Sequence, residues 1–285
     1  MATPAARRSQ TAATTVALTI AGSDCSAGAG LQADLKTFSA LGVYGVTAVT
    51  CVAAEVPGKV SRIDPVDTRN VRQQIELLLA NFPVGAIKTG LLFSAAVVDV
   101  VASILAKRAA KIPLVVDPVM VATSGDPLLQ SPAIDSYQTR LFPLATLITP
   151  NLPEAAALSG RPVRDPGEMK AVGNELARRF ATGVLVKGGH LSGDLATDLY
   201  CDGTTVVEFS APFVPGVSTH GTGCTYSAAI AARLALGDPL LEAISCAKKF
   251  VSRAIREHFF WPTPLGKIHA LNHRISEQDP QGGPA

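Results

Sequence analysis

His220-Gly-Thr-Gly-Cys-Thr225 opens an apolar stretch that reads as a helix, a setting that can hold an anion. Small residues there let backbone N–H groups approach a negative ligand, and the positive end of the helix dipole adds to the attraction. Such a nest can stabilise the charge that develops on a transferring phosphoryl group. Gly221, Thr222 and Gly223 are its candidate residues. Cys224 falls in the first helical turn, where a thiol pKa is ordinarily lowered. It is therefore a candidate base for the proton of an attacking hydroxyl. Taken alone, the segment also reads as a glycine-rich helix start with a buried cysteine.

Further chemistry-bearing residues follow short apolar runs. Asp117-Pro118 and Thr149-Pro-Asn151 each end such a run. A carboxylate and an amide at neighbouring strand ends suit a hydrated Mg²⁺ that bridges phosphates. Asn151 also has the composition of a helix cap. Lys187-Gly-Gly189 follows a third run: the glycines permit close backbone approach to a nucleotide, and the lysine can pair a phosphate. By itself this segment is equally a turn. His190 and His220 do not have metal-ligand spacing and are read as non-catalytic.

Gly22-Ser-Asp-Cys-Ser-Ala-Gly-Ala-Gly30 is not a P-loop, because it lacks the GxxxxGK[ST] order. Gly28 to Ala33 does fit GxGxxA, and Glu55 follows the second strand, so a dinucleotide-binding oxidoreductase is a rival reading. Its weakness is position, since six residues separate Ala21 from Gly28. Asp24 and Asp34 are candidates for meeting a substrate hydroxyl, with helix capping or simple surface exposure as alternatives. A binding module without chemistry is a further alternative.

These residues need a scaffold that brings strand ends together. The pattern predicts buried strands over Val16–Ala21, Val46–Ala53, Val84–Lys88, Pro113–Asp117, Thr146–Thr149 and Val184–Lys187. Helices are expected over Ala29–Leu41, Asn70–Ala80, Ala95–Ala110, Ala133–Leu141, Leu152–Leu158 and Glu168–Phe180. The alternation implies a mostly parallel sheet with helices on both faces. Thr197–Cys201 and Thr205–Phe209 flank Asp202-Gly203, a hairpin signal, so the far edge is expected to be antiparallel. Two helices, near Gly223–Leu236 and Leu240–Phe259, close the fold. Ligands of such a sheet bind beyond the carboxyl ends of its strands, which is where the glycine, proline and acidic residues collect.

Composition narrows the classes. The chain has 285 residues, of which 47% are hydrophobic and 17% charged, enough to bury a core. Its formal net charge of +2, with no long basic run, gives little support to a nucleic-acid or membrane-surface partner. No apolar stretch approaches the roughly 20 residues that span a bilayer. The 5 cysteines form no CxxC pair, which fits a reducing cytosol better than a disulfide framework or a zinc site. With no internal repeat and no linker, residues 16–260 are expected to form one domain. Met1 to Thr15 reads as a disordered tail, with a transit peptide as the alternative. Residues 261–285 read as a C-terminal extension whose end, Ser276 to Ala285, is frayed.

In their order these motifs resemble the hydroxymethylpyrimidine kinase/phosphomethylpyrimidine kinase family of thiamin synthesis, within the ribokinase-like superfamily. The matching segments are Ala-Leu-Thr-Ile-Ala-Gly-Ser-Asp at 17–24, Gly-Ala-Gly at 28–30, Gln-Ala-Asp-Leu-Lys-Thr-Phe at 32–38 and Leu-Gly-Val-Tyr-Gly at 41–45. They continue with Val-Val-Asp-Pro-Val-Met-Val-Ala at 115–122, Ser-Gly-Asp-Pro-Leu-Leu at 124–129, Leu-Ile-Thr-Pro-Asn-Leu-Pro-Glu-Ala at 147–155, Val-Lys-Gly-Gly-His-Leu at 186–191 and Thr-His-Gly-Thr-Gly-Cys-Thr at 219–225. The resemblance implies a three-layer α/β/α fold, ATP and Mg²⁺, a small heterocyclic alcohol as acceptor, and a cytoplasmic homodimer. It implies Cys224 as base, with Gly22, Asp34 and Ala53 near the pyrimidine. It also implies Asn151 and Glu154 near metal and phosphates, and Lys187 near the nucleotide. Two positions depart from the family pattern. Glu55 stands where a glutamine reads the ring edge, and Leu91 stands where a methionine packs on the ring. Relatives that phosphorylate pyridoxal or pyridoxine make a vitamin B6 kinase the near alternative.

Overall fold

The computed structural model describes residues 14–120, 131–189, 191, 193–217, 220–263 and 266–274. The motif at 124–129, His190 and the outer parts of both terminal segments lie outside them.

The sheet is built around β1 (Val16–Asp24), whose alternating side chains feed both faces and are buried at every position but Ser23. β2 (Tyr44–Val56) and β4 (Val84–Thr89) flank it, both parallel. β5 (Leu114–Val116), β6 (Leu147–Ile148) and β7 (Gly183–Lys187) continue the parallel series. β8 (Leu195–Cys201) and β9 (Val206–Pro212) then add the antiparallel edge that Asp202-Gly203 predicts. Asp202 Oδ1 accepts from the Thr204 and Thr205 N–H groups, and Gly203 adopts φ +93°, so the turn residues serve as their types suggest.

The opposite edge differs from expectation. β2 does not stop at Ala53 but runs to Val56, turns at Pro57-Gly58 and returns as β3 (Lys59–Pro65), antiparallel. The sheet order is therefore β3-β2-β1-β4-β5-β6-β7-β8-β9. β3 escapes a sequence reading because it is largely exposed and lacks an apolar face.

Helices cover both faces. α1 (Gly30–Ala40), α7 (Thr222–Ala235) and α8 (Leu240–Arg256) pack on one, over Ala17, Phe38, Val115, Leu147, Ile230 and Ile244. α2 (Thr68–Asn81), α3 (Ala95–Arg108), α4 (Ser131–Ser136), α5 (Leu152–Ser159) and α6 (Pro166–Phe180) pack on the other, over Leu18, Ile20, Ile75, Val101, Phe142 and Leu176. This is the expected three-layer α/β/α fold. Beyond α4 the expected helix widens into a π turn at Tyr137–Leu141, and the Tyr137 hydroxyl donates to Gly90 O at 3.2 Å. The last helix is shorter than expected. It ends at Arg256, and Phe259 opens β10 (Phe259–Thr263), which pairs with β11 (Gly266–Ala270). Three consecutive aromatic residues favour a strand over a helical end there.

Among the described residues no helix is long and apolar enough to cross a membrane. Because the central strands run in the same direction, Asp24, Lys88, Asp117, Asn151 and Lys187 all emerge at one edge of the sheet.

Candidate active site

At that edge lies a cavity of about 430 Å³. Its middle is the start of α7. Gly221 precedes the helix with φ +80°, and a Cβ there would stand 1.8 Å from Gly28 O, so only glycine fits. Thr222, Gly223 and Cys224 line the cavity, and Thr222 Oγ1 is buried without a hydrogen-bond partner. A buried hydroxyl left unsatisfied beside free helical N–H groups suits an incoming phosphate.

Two buried ion pairs floor this region. Lys187 Nζ sits 2.9 Å from Asp117 Oδ1, and the second Asp117 oxygen accepts from Ser227 Oγ at 3.3 Å. Lys88 Nζ, wholly buried, reaches both oxygens of Asp34 at 3.0 and 2.9 Å, while Thr19 Oγ1 donates to Asp34 at 2.6 Å. Burial disfavours the Lys88 ammonium, but the negative charges of Asp34, Cys224 and Asp117 outweigh it and hold Lys88 above the usual lysine range. Asp34 does not line the cavity. It lies beneath it with its oxygens occupied, so the expected contact to a substrate ring is replaced by a hold on Lys88. Asp24 is likewise committed. Its carboxylate accepts from the Ser26, Gly28 and Ala29 N–H groups and meets His220 Nε2 at 3.1 Å. Burial works against its charge, yet the bonds from His220, Ser26 and Ala29 hold its pKa at about 2. Gly28 and Gly30 thus serve an acid-organised loop rather than a dinucleotide turn.

Asn151 and Glu154 form a reciprocal cap on α5: Asn151 Oδ1 accepts from Glu154 N, and Glu154 Oε2 accepts from Asn151 N, both at 2.9 Å. The capping reading of Asn151 is thus realised, and both residues still line the cavity. Burial raises the Glu154 pKa, Lys187 opposing and Asp117 reinforcing the rise. No group of three or more His, Cys, Asp or Glu side chains suited to a metal occurs among the described residues. Asp117 and Glu154 therefore fit only an ion whose shell is mostly water and phosphate oxygen, as Mg²⁺ prefers.

The Cys224 thiol departs from expectation. Burial pushes its pKa up to about 11; Lys88 and the Gly30 N–H pull it down, while Asp34 and Asp117 push it further up. The helix start does not overcome this desolvation, so the thiol rests protonated at neutral pH.

One end of the cavity holds Gly22, Ala53, Glu55 and Leu91. A Cβ on Gly22 would lie 2.7 Å from Cys51 Sγ, so this part of the cavity wall is built around glycine. Glu55 lies within β2, not beyond it, at a register shift between Ala54 and Glu55, and it lines the cavity. Burial and the Asp24 charge raise its pKa, with His220 opposing. The other end is walled by Pro212, Phe213, Val214, Val251 and Ile255, and Gly189 lies at its border. There the Lys248–Asp198 pair, 2.6 Å apart, is buried. Lys88, Asp198 and Lys248 also line the cavity; sequence reasoning placed Lys88 at a strand end where a site is expected but gave none of the three a role. Lys88 alone carried a signal, as a charged residue in an otherwise apolar strand.

The cavity runs from residues of β1 and β2 past the start of α7 to residues of β8, β9 and α8, an arrangement suited to group transfer between two bound molecules. With this fold around it, the class is a ribokinase-like phosphotransferase. The chain belongs to the phosphomethylpyrimidine kinase family, whose sequence profile matches residues 24–269. It is 47% identical over 246 residues to the hydroxymethylpyrimidine/phosphomethylpyrimidine kinase of Rhizobium meliloti, covering 85% of this chain and 91% of that one. It is 43% identical over 263 residues to the thiamine biosynthesis bifunctional protein ThiED of Geobacter sulfurreducens, spanning 92% of this chain but 53% of that protein. Among solved structures it resembles the pyridoxal kinase of Staphylococcus aureus in complex with AMP-PCP and pyridoxal, at 34% identity and TM-score 0.82, over 94% of this chain and 96% of that one. It also resembles the phosphomethylpyrimidine kinase of Clostridium difficile 630, at 38% identity and TM-score 0.75, over 84% and 99%.

Proposed function

We propose that this enzyme transfers the γ-phosphoryl group of ATP to the hydroxymethyl group of 4-amino-5-hydroxymethyl-2-methylpyrimidine, and to the monophosphate of that compound, in thiamin biosynthesis. The observation that carries the reading is the placement of Cys224 and the Gly221–Gly223 nest between the ring end and the apolar end of one cavity. Adenine lies against Phe213, Val214 and Val251, and Lys187 pairs the phosphates. Asp117 and Glu154 would hold Mg²⁺, which would supply positive charge to offset that of the phosphate oxygens. Cys224 takes the acceptor proton, and the N–H groups at the start of α7 steady the transferring group. The reading includes a homodimer in the cytoplasm and no nucleic-acid or membrane partner.

A second reading, a pyridoxal kinase, draws support from Glu55, from Leu91 and from the solved pyridoxal kinases. Glu55 bears directly on the choice. An aminopyrimidine edge offers one donor and one acceptor, which a neutral carboxyl matches and a carboxylate does not. Because the Glu55 pKa is raised, its neutral fraction grows as pH falls. The ratio of kcat/KM for hydroxymethylpyrimidine over pyridoxal is therefore expected to rise with falling pH. In Glu55→Gln, whose amide presents both groups at every pH, that pH dependence should disappear. If both substrates respond equally to the substitution and the pH profiles superimpose, Glu55 does not select the acceptor.

A further inference from the structure

Asp198 is buried where β8 meets α8, and each of its carboxylate oxygens has a partner of its own. Oδ1 accepts from the Gly188 N–H at 3.0 Å, and Oδ2 accepts from Lys248 Nζ at 2.6 Å. Burying two charges is costly, and apolar residues of similar volume generally serve stability as well or better. The pair therefore calls for a reason beyond stability, and the Gly188 bond points to one. Gly188 follows Lys187, the last residue of β7, which stands opposite Asp198 in the β7–β8 ladder. The backbone is held on both sides of the Lys187 side chain: its own N–H donates to Pro150 O at 2.9 Å, and the next N–H donates to Asp198. The turn lies tight against β8. A Cβ on Gly188 would stand 2.1 Å from Thr197 O. A Cβ on Gly189 would meet nothing within 4 Å, so the backbone there, which lines the cavity, is open to a ligand.

We propose that Asp198 is a positioning residue for the nucleotide: it fixes the turn that presents Lys187 and Gly189 to the phosphates of ATP, with Lys248 balancing its charge. The proposal rests on the reading of Lys187 as the residue that pairs those phosphates. Lys187 Nζ lies 2.9 Å from Asp117 Oδ1 and 3.1 Å from a Cβ built on Gly223, so a shift of the turn moves the ammonium relative to both the acid and the nest. A carboxylate suits the task because a hydrogen bond to a charged acceptor is stronger than one to a neutral acceptor. Lys248 reaches Asp198 from α8, the helix that also brings Val251 and Ile255 to the cavity, and its ammonium stands 6.0 Å from the centroid of the Tyr226 ring. One carboxylate thereby joins the turn after β7 to the helix that walls this end of the cavity.

The test compares two double variants, both free of unpaired charge and alike in volume. Asp198→Asn with Lys248→Met keeps an oxygen for the Gly188 N–H, whereas Asp198→Leu with Lys248→Met removes it. Dissociation constants for ATP with Mg²⁺ and for adenosine are measured by titration without acceptor, and melting temperatures are taken alongside. Loss of a buried hydrogen bond that orders a phosphate site should weaken ATP binding about tenfold in the leucine variant. The asparagine variant should stay within about threefold of the wild type for ATP, because the neutral acceptor rescues the turn. Adenosine, which carries no phosphate, should bind both variants with nearly equal affinity, since the change on α8 is common to them. If the leucine variant does not fold, Asp198→Ala with Lys248→Met carries the same comparison, with ATP again the ligand that weakens. Equal affinity of the two variants for ATP, or a parallel loss of ATP and adenosine in the variant lacking the oxygen, overturns the proposal and leaves Asp198 a purely structural residue. Failure of the underlying reading shows separately, as a wild type that binds ATP no more tightly than adenosine, and it takes the proposal with it.

Discussion

Cys224→Ser is expected to lower kcat by about 10²-fold or more, the usual scale for loss of a general base, while leaving the affinity for ATP near that of the wild type. The substitution keeps the shape of the first turn of α7 and changes only the group facing the acceptor. A serine hydroxyl is too weakly acidic to supply an anion there, whereas the Cys224 thiol titrates at about 11. The wild-type pH profile carries the same information. The active form is the deprotonated one and the pKa lies far above neutrality, so kcat/KM should rise about tenfold per pH unit from pH 7 and level only as pH nears that value. Cys224→Ser should lose this rise. Near-normal turnover in the variant, measured by single-turnover phosphate transfer, removes Cys224 from the chemistry.

The second large effect belongs to Gly223. A Cβ at this position would stand 3.1 Å from Lys187 Nζ and 3.5 Å from Asp117 Oδ2. Gly223→Val therefore thrusts methyl groups into the space between the helix start and the Lys187–Asp117 pair, where the transferring phosphoryl group must pass. Loss of about 10²-fold in kcat is expected, the scale for losing one donor to a developing charge. The melting temperature should stay near the wild-type value, because Gly223 does not have positive φ and valine is no worse than glycine in a helix. Gly221 offers no such clean test: with φ +80° and Gly28 O at 1.8 Å from a built Cβ, any side chain there disrupts the junction between α7 and the β1–α1 loop. Should Gly223→Val lower only the melting temperature and leave turnover intact, the nest is a structural feature and not a phosphate site.

The parts of this enzyme that could be read from sequence are those governed by short-range pattern. Val16–Ala21 and Val184–Lys187 declare themselves as buried strands because their residues are predominantly apolar. Asp202-Gly203 declares a hairpin because its turn demands those residue types. Strand direction then brings Asp117, Asn151, Lys187 and Cys224 to one edge. What escaped reading depends on partners distant in sequence. Asp34 has the same appearance in sequence whether it meets a substrate or a lysine 54 positions away. The Cys224 thiol looked activated by its helix position, but the surrounding burial decides its titration. β3 was missed because an exposed edge strand has no periodic apolar face, and β10 because Phe259 continues the apolar rhythm of α8 past its true end at Arg256.

Phosphoryl transfer itself gives the most direct measurement. ATP labelled in its γ-phosphoryl group, with Mg²⁺, is incubated with the enzyme and either 4-amino-5-hydroxymethyl-2-methylpyrimidine or pyridoxal, and the labelled ester is quantified. The expected result is label on the hydroxymethyl oxygen of the pyrimidine, with kcat/KM exceeding that for pyridoxal, and further label when the monophosphate is offered. Label on pyridoxal alone would contradict the acceptor assignment, and no labelled ester with either compound would contradict the account of this cavity as a site of phosphoryl transfer to a hydroxymethyl heterocycle.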